Sequence, residues 1–72
     1  MKNYTLEAII KGQTIKFDKK FNSRLNALNF AFKYCNKHYL YNLEIEDEYL
    51  LGNKHSVEYV LNNYDRFVVI RA

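Results

Sequence analysis

Proline and tryptophan are absent from this 72-residue chain, glycine and histidine occur twice each, and cysteine occurs once. With no proline, no glycine-serine run, no repeat and no low-complexity stretch, residues 1–72 read as one domain without a linker. A single cysteine cannot close an internal disulfide. Cys35 lies among Leu and Phe, which suits a buried thiol in a reducing compartment, so a cytoplasmic location is expected. Long apolar runs are missing too. Glu7 interrupts the first hydrophobic run, and the longest useful one, Phe67 to Ile70, is strand-sized, so neither a signal peptide nor a membrane contact is expected.

The same scarcity bounds the chemistry. Cys35 and His38 have CxxH spacing and His55 can be set beside them, but a structural zinc site needs four ligands at recognisable spacing, so no metal and no cofactor are expected. As a nucleophile Cys35 would need a base and an electropositive pocket, whereas its neighbours are apolar. Glu44, Glu46, Asp47 and Glu48 concentrate negative charge without a histidine, a polar pocket or a glycine-rich loop beside them. A solvated strand edge that discourages aggregation explains them better than an acid/base pair or a hard-cation site. An acidic surface imitating nucleic acid is the lesser alternative. No catalytic residue, enzymatic activity or small-molecule substrate is assigned.

What the chain does have is aromatic surface and one helical period. Seven Tyr and five Phe supply a core from few residues, each large ring burying on the order of 150–250 Å². A chain of this size buries only about 60% of its unfolded surface, so stability is expected to be modest. Between Asn22 and Tyr39, residues Leu25, Leu28, Ala31, Phe32, Cys35 and Tyr39 recur on one side of a helix, the stripe expected to face a sheet. Asn22 and Ser23 offer an N-cap without a full capping box, and Lys33, Lys37 and His38 complement the far end of the dipole. The exit is expected at Asn36 or at the aromatic run Tyr39, Tyr41. A second stripe, Ala27, Phe30 and Tyr34, lies roughly opposite Leu28 and Phe32 with Lys33 and Lys37 beside it. An exposed apolar patch rimmed by lysines marks a partner or homodimer surface, and these five residues are the candidate protein-binding site.

Strand periods flank the helix. Tyr4, Leu6, Ala8 and Ile10 alternate with polar residues, Gly12-Gln13 suits a type II′ turn, and Thr14 to Asp18 returns, with Ile10 opposite Ile15 and Ala8 opposite Phe17. After the helix, Tyr41, Leu43 and Ile45 alternate with Asn42, Glu44 and Glu46. Val57, Tyr59 and Leu61 form the inward set of a fourth strand. A two-residue turn at Gly52-Asn53 would pair Ile45 with Val60 and break that parity, which predicts a three-residue loop or a bulge. The turn Asn62 to Asp65 leads to a fifth strand, Arg66 to Arg71, apolar on both sides, whose register the pattern leaves open. The fold class is therefore α+β: a single two-layer ββαβββ domain with one helix on a mainly antiparallel five-stranded sheet. If the helix carries the third strand to the first, the order is 2-1-3-4-5. The uncovered face then holds Ile9, Val60 and one of Val68 or Ile70.

The net charge of +3 divides unevenly: residues 1–43 hold eight Lys/Arg against Glu7 and Asp18, and residues 44–72 hold three against six acids. Lys16, Lys19, Lys20, Arg24, Lys33 and Lys37, with Phe30 and Tyr34 near, form the alternative site, a weak nucleic-acid surface. No helix-turn-helix, zinc finger, RNP or GXXG pattern accompanies it, and lysine outnumbers arginine, which suits phosphate neutralisation more than base readout. The Lys/Asn/Tyr/Ile-rich usage, the ββαβββ layout and the ending VEYVLNNYDRFVVIRA resemble the small uncharacterised proteins of phages and mobile elements of low-GC Gram-positive bacteria. That resemblance implies an accessory role through contact with a host or phage protein and assigns no functional residue. The expectation is a small non-enzymatic binding module acting by protein contact, with nucleic-acid binding as the alternative.

Overall fold

The computed structural model describes residues 3–38, 43–52 and 56–71. Its elements are β1 (Tyr4–Ile10), β2 (Gln13–Phe21), α1 (Arg24–His38), β3 (Ile45–Leu50), β4 (Val57–Leu61) and β5 (Arg66–Arg71). The five strands form one antiparallel sheet, and α1 packs on one face of it against β1, β5 and β2. This is the ββαβββ α+β architecture that the sequence pattern implies.

The strand order is β2-β1-β5-β4-β3, not 2-1-3-4-5. After the helix the chain begins at the far edge and meanders inward, so that β5 pairs with both β1 and β4. Side-chain chemistry accounts for the difference. The central position suits a strand with no acidic residue, and β5 carries Phe67, Val68, Val69 and Ile70; β3 carries Glu46, Asp47 and Glu48 in succession, so acids project from both of its sides, and an edge keeps all three hydrated. Phe67 and Val69 point into the core and are fully buried, whereas Val68 and Ile70 share the uncovered face with Ile9 and Val60.

The first hairpin turns one residue earlier than its glycine suggests. Ile10 pairs with Gln13 across a Lys11-Gly12 turn with φ of 51° and 79°, the two left-handed positions of a type I′ turn, in place of a II′ turn at Gly12-Gln13. Lys11 is not a glycine, and its backbone N–H donates to the Asp65 carboxylate at 3.0 Å, which fixes this conformation. Ala8 consequently faces Ile15 rather than Phe17. An irregularity that places Lys16 and Lys20 opposite Glu7 and Thr5 absorbs the two-residue slip, and Phe17 and Phe21 still reach the helix. A comparable irregularity between Ile45 and Asp47 supplies the bulge expected in the β3–β4 pair. The Gly52-Asn53 turn and Tyr41 lie partly or wholly outside the described residues; beside that turn, Leu51 N–H donates to the Ser56 carbonyl at 2.9 Å.

Asp65 also accepts from Asn63 Nδ2 at 2.8 Å, so one buried carboxylate joins the β4–β5 loop to the β1–β2 turn. Ser23 Oγ accepts the Asn26 N–H at 3.1 Å, the N-cap geometry expected there, and α1 runs past Asn36 to His38.

Candidate binding groove between β2 and α1

The helix sits on the sheet rotated from the stripe its sequence suggests, by roughly 60° at 100° per residue. Ala27, Ala31 and Cys35 are the residues fully buried against the sheet, and Leu25, expected to be core, is 65% exposed. Small side chains let the backbone approach closely, and the larger ones then flank them. Phe32 meets Phe67 edge-on at 5.3 Å on one side. On the other, Phe30 and Tyr34 meet Phe17 edge-on at 5.3 and 5.1 Å, and Phe30 also lies 5.3 Å from Phe21. The second stripe is therefore the flank of the core. Ala27 is wholly inside, which removes it from any docking surface, and the Phe30 and Tyr34 rings are half-buried rather than exposed.

Above these rings a groove runs between edge strand β2 and α1. It comprises two adjoining hollows of about 370 and 360 Å³ that share Phe30 and Lys33. Lys19, Lys20, Phe21, Asn22, Asn26 and Asn29 complete the first, Tyr34 and Lys37 the second, and among the described residues no carboxylate lines either. The Lys19 ammonium lies 4.7 Å from the centroid of Phe30 and 5.6 Å from that of Phe21. The cation is held by ring faces instead of by an acid, so its charge remains uncompensated toward the groove.

The structure brings together Lys19, Lys33 and Lys37 from the sequence-derived sets; Lys20 borders the first hollow from β2 but pairs with Thr5 on the uncovered side, and the remaining two cations lie apart. Lys16 stands opposite Glu7, whose neighbours on the uncovered face place it away from α1. Arg24 acts instead on Tyr59 of β4: burial raises the Tyr59 pKa, and the Arg24 charge opposes that rise. Of the groove asparagines, Asn22 is expected from the sequence only as an N-cap, and Asn26 and Asn29 carry no expectation. Asn22, Asn26, Asn29 and Lys33 recur at i, i+4, i+7 and i+11, a polar helical stripe legible by the same periodicity that finds apolar ones.

The other weighed sites have simple environments. His55 lies outside the described residues, as does the side chain of His38. Among the described residues no three His, Cys, Asp or Glu side chains gather as a metal site would require. Glu46, Asp47 and Glu48 stand exposed on edge strand β3. Cys35 is a buried thiol whose pKa is pushed up to about 11, first by burial and then by the Asp65 charge. A raised folded-state pKa contributes stability that is complete below the unfolded value of 9.0 and is lost as pH rises toward about 11. The raised Tyr59 acts in the same direction. Urea midpoints should therefore fall between those pH values, and Cys35→Ala should flatten part of the fall; an unchanged slope in that variant would exclude the thiol as its source.

Comparison with protein-family models, with curated proteins and with solved structures finds no match for this chain.

Proposed function

We propose that this chain is a non-enzymatic binding module that acts in the cytoplasm by contact with a protein partner, and that the β2–α1 groove receives an acidic surface of that partner. The observation that carries this reading is a groove where Lys19, Lys33 and Lys37 meet three asparagines over half-buried aromatic rings, with no carboxylate among the described lining residues. Lysine presents a mobile point charge suited to scattered carboxylates, and asparagine supplies both donors and acceptors. The resemblance in composition and layout to small phage and mobile-element proteins supports an accessory role through protein contact.

The same rim supports a second reading, phosphate contact with nucleic acid. Against it, Lys19 already covers Phe30, so base stacking there requires that ammonium to leave. One experiment separates the two. The chain should retain acidic proteins at about 0.05 M salt, the retention should survive nuclease, and Lys33→Glu with Lys37→Glu should abolish it without lowering the melting temperature. Nuclease-sensitive retention, with gel shifts of single-stranded DNA or RNA that weaken steeply as salt rises, would transfer the assignment to nucleic acid. Retention unaffected by the double variant would remove the groove from either reading.

A further inference from the structure

We infer that the acidic partner of the groove is a second copy of this chain, whose β3 edge seats against β2 so that copies associate head to tail. The inference rests on the groove reading above and names its occupant. Three observations on opposite ends of the sheet fit one another.

The first is strand availability. In the order β2-β1-β5-β4-β3 the two end strands each have one sheet neighbour among the described residues. An edge of this kind is a template for a further strand.

The second is charge, face by face. On the side of the sheet that carries α1, β2 and the helix rim present Lys19, Lys33 and Lys37; on the uncovered side β2 presents Lys16 and Lys20, opposite Glu7 and Thr5, with Asp18 between them. An incoming strand therefore needs acids on both of its faces. The β3 strand has them: Glu48 pairs with Tyr59 and shares its helix side, and Asp47 pairs with Val60 on the uncovered side. Like edges are disfavoured, since β3 against β3 opposes carboxylates with no base on the strand, and β2 against β2 sets three lysines against three with one acid, Asp18, among them. The unlike pair is the one with complementary charge on both faces.

The third is apolar surface. Two of the exposed large hydrophobic residues lie on β3, Tyr49 at 51% and Leu50 at 66%. Leu50 pairs with buried Val57 and so lies on the helix side, the side on which the β2 edge offers the rings of Phe30 and Tyr34. A carboxylate and a leucine two residues apart on one strand face meet lysines and aromatic rings on the other. The strand irregularities in both edges limit the paired stretch, so the contact is short and depends on its charges. Because the two surfaces differ, the association is heterologous and adds copies in series.

Sedimentation tests this with charge-reversed edges. At about 1 mM protein and about 0.01 M salt, where the Debye length is about 30 Å, the wild type should form species larger than dimers, and these should dissolve at about 1 M salt. Lys19→Glu/Lys20→Glu/Lys33→Glu, with two acidic edges, should be monomeric. Glu46→Lys/Asp47→Lys/Glu48→Lys, with two basic edges, should be monomeric as well. Mixed in equal amounts, the two variants should assemble again, because each then meets a complementary edge. Circular dichroism confirms that each is folded, and Lys20→Glu/Lys33→Glu replaces the first if loss of Lys19 unfolds it. A wild type that stays monomeric at low salt overturns the inference, as does a folded mixture that fails to assemble or a single reversed variant that assembles like the parent. A monomeric wild type that still retains acidic proteins through Lys33 and Lys37 would refute self-association and leave the groove reading standing.

Discussion

Phe67→Ala should unfold most of the population at room temperature. Phe67 is fully buried on the central strand β5, stands opposite Ala8 and Tyr59, and receives the edge of Phe32 at 5.3 Å. Truncating a buried phenylalanine costs about 3–5 kcal/mol through lost transfer energy and the cavity left behind. A single core in a domain of this size rarely supplies more than about 3–5 kcal/mol, so the loss matches the whole stability. Urea denaturation followed by circular dichroism should show little or no native baseline. Val68→Thr, the next residue but on the uncovered face, should shift stability by no more than about 0.5 kcal/mol. If Phe67→Ala melts within about 1 kcal/mol of the parent, the core is not centred on β5.

Phe30→Ala combined with Tyr34→Ala should destabilise the fold by about 3 kcal/mol, several times what an exposed stripe would lose. Both rings contact Phe17 edge-on, and Phe30 additionally holds Phe21 and the Lys19 ammonium. Removing them uncovers the floor of the groove and one wall of the core together. Thermal melting of the single and double variants decides the matter: a double variant as stable as the parent would mean that the rings serve only a partner. Loss of binding in this variant would therefore say nothing about the groove's chemistry. The lysine reversals, which touch only the rim, carry that test.

The sequence pattern was sufficient for element type and number because apolar periodicity reports directly on which residues need burial. It was insufficient where two faces compete. Along α1 the larger side chains form a persuasive stripe through Leu25, Leu28 and Phe32, but the sheet selects the narrow line of Ala27, Ala31 and Cys35, along which backbone and sheet approach most closely. Hydrophobicity ranks Leu25 above Ala27; packing geometry reverses them. The β1–β2 turn escaped for another reason. Glycine at one position of a tight turn leaves its neighbour undecided, and the deciding contact, Lys11 N–H to Asp65, comes from the far end of the chain. Strand order was legible in composition, since FVVI at the centre and EDE at the edge is the assignment hydration favours, although chain adjacency pointed elsewhere. In the groove, the lysines were visible as an acid-free run, while the asparagines lacked a charge to draw attention to them.

The position of β5 has a further consequence, for the route by which the chain reaches its fold. The strand that joins β1 to β4 is the last element in sequence, so the β1–β2 hairpin and the β3–β4 hairpin are brought into one sheet only when it is in place. Its contacts with β1 close a loop of nearly the whole chain length, and that entropy must be spent before the β1–β5 hydrogen bonds form, whereas those between β5 and β4 are local. Completing the sheet thus depends on a long-range encounter between the β1–β2 hairpin and the β3–β4–β5 meander, a topology of the kind that slows folding. It also leaves the amino-terminal half, with its aromatic-rich hairpin and helix, without its principal packing partner while the remainder is being synthesised.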